Sequence, residues 1–247
     1  MNRIYVTMFL LVLISCKKEP SQGPKWIEAD KKTTAVKSVP KGITPKVDTI
    51  EISGISELDS NMHILASFLD KKIDKDSIIT VHYNLDFYSS KRKIGSEKVA
   101  IVNFTEGSNW GASFGLSQDY ETQVSPFIKI SFGYEACGYN QQHFLFYLKD
   151  TRFQLVHEWD SMSDGGWGGW VEFGGMTPSK NPVSFHCKTV YYMGKEDDEQ
   201  MGTVQHLDST KFILKNNRWE KQLLTPKEKV YWEKDIAFND FYPQQTE

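Results

Sequence analysis

From about Val47 onward, apolar side chains recur in short runs that alternate with polar ones, punctuated by Gly, Asn, Asp and Pro. A period of two marks a strand with one buried face, and Val, Ile, Phe and Tyr favour that pleated surface. The pattern predicts strands near Thr49–Ser53, Ile78–Tyr88, Lys98–Phe104, Phe127–Tyr134, Gln142–Lys149, Arg152–Trp159, Trp167–Phe173 and Val183–Tyr192. Another runs from about Gly202 to His206, followed by Lys211–Lys215 and Arg218–Lys221. Met62–Leu69 fits a helical turn or a strand, because its period does not decide. Strands at this spacing, without long helical patterns between them, predict an all-β fold. The expected architecture is a single antiparallel sandwich or barrel-like domain over residues 47–247. A short C-terminal helix should close it, with Thr225 as cap, Pro226 in the first turn, and an end near Ile236.

One hairpin can be read residue by residue. With Asp150-Thr151 as its turn, Lys149 faces Arg152, Leu148 faces Phe153, Phe146 faces Leu155 and Phe144 faces His157. The other face pairs Tyr147 with Gln154, Leu145 with Val156 and His143 with Glu158. Both faces carry apolar side chains, as a central hairpin requires. Phe146–Phe153 is echoed by Phe212–Trp219 in the pattern FxLK[DN]xR[FW]. Asn216-Asn217 suits the left-handed angles of a two-residue hairpin turn, so the echo reads as hairpin chemistry arriving twice.

The start of the chain follows a different pattern. Arg3 precedes an almost continuous apolar run, Ile4 to Ile14. At about 1.5 Å per residue that run is too short to cross a hydrocarbon core of about 30 Å, but it suits a secretory signal. Leu13-Ile14-Ser15-Cys16 resembles the lipobox of bacterial lipoproteins. The resemblance implies cleavage before Cys16, lipid on its thiol, and a signal peptide spanning residues 1–15. Cys16-Lys17-Lys18-Glu19 resembles the onset of Bacteroidota lipoproteins. That resemblance implies surface display, and Lys17 in place of Asp after the cysteine is similar to the enterobacterial pattern for outer-membrane sorting, so the expected location is the outer membrane, at its periplasmic face or at the cell surface.

Residues 16–46 contain Pro20, Pro24, Pro40 and Pro45 with few apolar positions, and read as a disordered tether. Lys17 to Lys46 holds eight lysines against Glu19, Glu28 and Asp30, a balance of +5. With Arg3 and an overall charge of −3, the part from Val47 on carries −9. A basic tether on an acidic body excludes nucleic acid as the expected partner, since that would place the basic patch on the fold. Lipid on Cys16 leaves Cys137 and Cys187 as an even pair in an oxidising compartment, and a disulfide between them is expected. The alternative is two buried thiols. No Cys/His spacing supports zinc, and Asp160-x-Met162-x-Asp164-Gly165 lacks the ligands of a calcium loop, so neither metal nor cofactor is expected.

Candidate chemistry concentrates in Ser161–Gly175, where six glycines accompany Trp167 and Trp170. Such rings stack on sugar faces, and glycine lets a ligand approach the backbone. The alternative is a glycine-rich hairpin whose tryptophans cover the core. His143 beside Glu158 would make a proton-transfer pair if both lined a cleft. No GxSxG, HExxH, P-loop or GxGxxG accompanies it. The expected function is therefore a membrane-tethered, non-catalytic binding or accessory domain for glycan or another envelope component. The alternatives are an envelope hydrolase using His143 and Glu158, or a toxin-neutralising periplasmic lipoprotein.

Overall fold

The structure, a computed structural model, describes residues 46–54, 61–116, 125–134, 136, 138–150, 152–165, 167–175, 182–198 and 200–241. The signal peptide, Cys16, nearly all of the tether, and Cys137 lie outside the described residues. The fold is all-β and antiparallel, as its alternation predicts. A first sheet contains β1 (Val47–Glu51), β2 (Met62–Ile73), β3 (Ile79–Ser89) and β4 (Arg92–Val102) in that order. The ambiguous Met62 segment is thus a strand, with Met62, Ile64 and Ala66 buried at every second position. Val81, Tyr83, Leu85 and Phe87 do the same on β3, leaving His82, Asn84 and Asp86 on the outer face.

The second sheet comprises β5 (Asn109–Phe114), β6 (Phe127–Gly133), β7 (Asn140–Lys149), β8 (Arg152–Asp164), β9 (Trp167–Gly174), β10 (Ser184–Gly194), β11 (Met201–Lys215), β12 (Arg218–Leu223) and β13 (Trp232–Ala237). Strands β5 to β12 follow in sequence order, and β13 shares β11. The alternation alone does not predict β5. The sheet bends between β8 and β9, which pair only at Met162–Gly169, Ser163–Gly168 and Asp164–Trp167. Gly168 makes the bend possible. Its φ is 153°, and a Cβ there would stand 2.0 Å from the Met162 carbonyl oxygen.

Beyond that corner, β10 to β12 lie over β6 and β7. Phe127, Leu145 and Tyr147 meet Phe185, Cys187, Phe212 and Trp219 in one apolar layer. The opposite face of β6 and β7, with Ile128, Ile130, Phe144, Phe146 and Leu148, meets the first sheet in another. Strands β6 and β7 therefore form a middle layer buried on both sides, and every residue from Phe144 to Leu148 is buried. Glutamine amides stitch the seams. Gln142 Oε1 accepts from the Val102 amide at 2.8 Å, and Gln154 holds both polar groups of the Trp219 backbone, at 2.8 and 2.9 Å.

The β7–β8 hairpin follows the expected register from Lys149–Arg152 to Phe146–Leu155. A bulge at Val156 then displaces it by one, so Leu145 faces His157, Phe144 faces Glu158 and His143 faces Trp159. The echo holds at β11–β12, where Lys215 faces Arg218, Leu214 faces Trp219, and Asn216 and Asn217 take φ of 49° and 63°. The two hairpin tips touch: Arg152 Nη1 donates to Asn217 Oδ1 at 3.0 Å.

The C-terminal helix is placed differently from expectation. Residues 225–231 form a turn, Trp232–Ala237 is β13, and the helix α1 covers only Phe238–Phe241. Thr225 Oγ1 accepts from the Ser209 amide instead of capping a helix, and Glu228 sits at φ 57°. The cause lies on β11. An extra residue near Asp208 divides that strand, β12 covers Thr210–Lys215, and the backbone edge of Met201–His206 takes β13 as its partner. Asp235 fixes the strand by accepting from Thr203 Oγ1 at 2.8 Å and Lys195 Nζ at 2.6 Å.

Candidate functional site

The bend between β8 and β9 borders an open cavity of about 510 Å3. Ala136 and Tyr139 reach it from the turn before β7, Gln141 from the start of β7, Ser161, Met162 and Ser163 from β8, and Gly169 and Trp170 from β9. Strand register assembles the wall, because Gln141 faces Ser161 and Met162 faces Gly169. Among the described residues, no charged side chain lines it. The wall combines two aromatic rings, three hydroxyls (one of them the Tyr139 phenol) and one amide with smaller apolar groups. Trp170 is held from behind, its ring 5.7 Å from Phe241 and its Nε1 donating to Glu172 Oε1 at 3.4 Å. Tyr139 is 43% exposed and packs against Tyr134 at 4.8 Å. Trp167, the other tryptophan singled out from sequence, is 42% exposed and does not line the cavity.

Behind Ser161 stands a stack of rings. Trp159 lies between His143, at 5.1 Å and 12°, and His157, at 5.4 Å and 25°. Burial pushes the His143 imidazole down to about 4, assisted by the nearby Lys129 ammonium. His157 falls to about 3, chiefly through burial, with Lys221 contributing. Both rings are neutral at neutral pH. His143 Nε2 lies 2.7 Å from Ser161 Oγ, while its Nδ1 is buried with no partner among the described residues.

The proposed pairing of His143 with Glu158 is not formed. The Val156 bulge puts Trp159 opposite His143 and Glu158 opposite Phe144, so the two side chains lie on opposite faces of the sheet. Glu158 points instead toward the first sheet, where burial, Glu97 and Asp160 raise its carboxyl pKa. Asp160, Met162 and Asp164 lie along the extended strand β8. Cys187 is a buried thiol with Sγ 3.7 Å from His157 Nε2, and burial pushes it up to about 12.

Comparison with family models, curated proteins and solved structures finds no match for this chain.

Chemically, the cavity can hold a neutral ligand by ring stacking and hydrogen bonds. Hydrolysis would call on Ser161 with His143 as base, and the arrangement suits it poorly. An imidazole titrating near 4 is a weak base at neutral pH, and no described carboxylate orients its Nδ1. Of the site residues, Trp170, Ser161, Met162 and Ser163 lie within the glycine-rich stretch that sequence composition picked out. Tyr139 and Gln141 carried no comparable signal, since only the β7–β8 register brings them beside Ser161.

Proposed function

We propose that this protein is an outer-membrane lipoprotein, anchored by acyl chains on Cys16, whose β domain binds a neutral sugar in the cavity at the β8–β9 bend. The observation that carries the reading is the composition of that wall: Trp170 and Tyr139 rings, Ser161 and Ser163 hydroxyls, the Gln141 amide, and no described charge. Sugars present apolar ring faces bordered by hydroxyls, which such a wall complements. The cavity also has the size of ordinary small-molecule sites, which run from about 300 to 1,000 Å3. Calorimetric titration with a panel of neutral oligosaccharides tests it. Saturable binding that weakens about tenfold in Trp170→Ala is expected, in keeping with the loss of one stacking platform. Absence of binding across the panel at millimolar concentration would refute the reading.

A hydrolytic reading draws on one observation, the 2.7 Å contact between Ser161 Oγ and His143 Nε2. A fluorophosphonate probe tests it directly. Covalent labelling of Ser161, abolished in His143→Leu, would favour catalysis over binding.

A further inference from the structure

We infer that the sugar taken up by the cavity carries an acetamido group, recognised through a Ser161 hydroxyl that His143 turns into a hydrogen-bond donor. The inference rests on the sugar-binding reading above and specifies which sugars the site distinguishes.

His143 is half-buried and its ring is neutral, so one nitrogen carries a proton and the other a lone pair. A proton on Nδ1 would be a buried donor without an acceptor among the described residues. The other tautomer leaves only a bare lone pair there, and an orphaned buried N–H is the rarer of the two in folded proteins. The hydrogen-bond network therefore assigns the proton to Nε2, 2.7 Å from Ser161 Oγ. Nε2–H donates to Ser161, and the serine's own O–H is left to donate elsewhere. Ser161 lines the cavity. Its hydroxyl is thus a donor available to a ligand acceptor, with one lone pair already occupied by the imidazole.

A carbonyl oxygen answers that donor better than a sugar hydroxyl does, because it accepts without a proton of its own to place. The rest of the wall fits an acetamido substituent. Gln141, directly across from Ser161, offers an amide that can accept or donate beside it. Ala136 and Met162 supply apolar surface for a methyl group, and Trp170 and Tyr139 supply rings for the pyranose face. The wall carries no described charge to pair with an acidic or amino sugar. In this arrangement His143 is a positioning residue and Ser161 the group that touches ligand.

Two probes with the same backbone separate this inference from the reading beneath it. Tetra-N-acetylchitotetraose, here chitotetraose, carries an acetamido group on each ring where cellotetraose carries a hydroxyl. Calorimetric titration of the full-length protein should show chitotetraose binding at least about tenfold more tightly, the discrimination expected where a site is built around a hydrogen bond. In Ser161→Ala the ratio of the two affinities should shrink to within about threefold. His143→Gln retains an N–H to hold Ser161 and should keep the preference, whereas His143→Leu should lose it. Equal affinity for the two probes, or a preference unchanged in Ser161→Ala, would overturn the acetamido inference and leave a sugar site standing. Binding of neither probe, nor of any neutral oligosaccharide, would overturn both.

Discussion

Gln154 closes a seam that no backbone ladder closes. Its Oε1 accepts from the Trp219 amide at 2.8 Å, and its Nε2 donates to the Trp219 carbonyl at 2.9 Å. A side-chain amide thus stands where a neighbouring strand would, joining β8 to β12. Trp219 is only 4% exposed, so water reaches its backbone poorly. Gln154→Met keeps length and volume but removes both bonds. Leaving a buried donor or acceptor unpaired costs about 1–3 kcal/mol, so losing two should destabilise the fold by about 3 kcal/mol after partial relaxation. A domain's whole stability is about 5–15 kcal/mol, so the loss is large. With a urea slope of about 2 kcal/mol/M, the midpoint should fall by about 1.5 M. Tryptophan fluorescence reports the transition, since Trp219 leaves the core on unfolding. Arg152→Met is the control: it breaks the neighbouring bond to Asn217 and the ion pair with Asp150, both at the surface, and should cost less than about 1 kcal/mol. A Gln154→Met midpoint within about 0.3 M of the parent would show that the amide is not what holds the seam.

Acid should unfold the protein through its half-buried imidazoles. His143 and His157 titrate near 4 and 3 when folded, below the ordinary 6.5, so below pH 6.5 the unfolded chain binds protons that the folded chain refuses. Their contribution is complete above about pH 6.5 and is lost as pH falls toward 4, with a combined slope approaching about 2.7 kcal/mol per unit near pH 5. Glu158 and Asp160, raised by burial, act in the opposite sense, so the histidine part is read as a difference. His157→Gln should flatten the profile by about one proton, and an unchanged slope would contradict neutral burial. Cys187, raised to about 12, should resist iodoacetamide at pH 8 in the folded protein and react after unfolding without reductant. If it stayed unlabelled after unfolding, the Cys137–Cys187 bridge expected from sequence would be holding it. Cys16→Ser should release the protein from membranes or leave an uncleaved precursor, as fractionation and mass spectrometry would report. A processed variant that stayed membrane-bound would exclude lipid as the anchor.

Local alternation was enough to establish the all-β class and most strand positions, because a pleated strand writes its buried face into every second residue. Val81, Tyr83, Leu85 and Phe87 needed no tertiary information to be read as one face. Turn chemistry was equally local. Asn216-Asn217 determined the β11–β12 register, and Asp150 determined the first part of β7–β8. What lay beyond local reach was any feature decided by a distant partner. The Val156 bulge displaced one strand by a residue and moved Glu158 to the face opposite His143, a difference that a period of two cannot register in advance. The stretch from Trp232 to Ala237 became a strand because β11 had an unpaired edge there, not because its own residues excluded a helix. The cavity forms where the β8–β9 corner at Gly168 sets Ser161 and Trp170, from two strands, beside Tyr139 just ahead of β7. Composition identified the glycine–tryptophan stretch as unusual, but only long-range strand pairing decided which of its side chains share a wall.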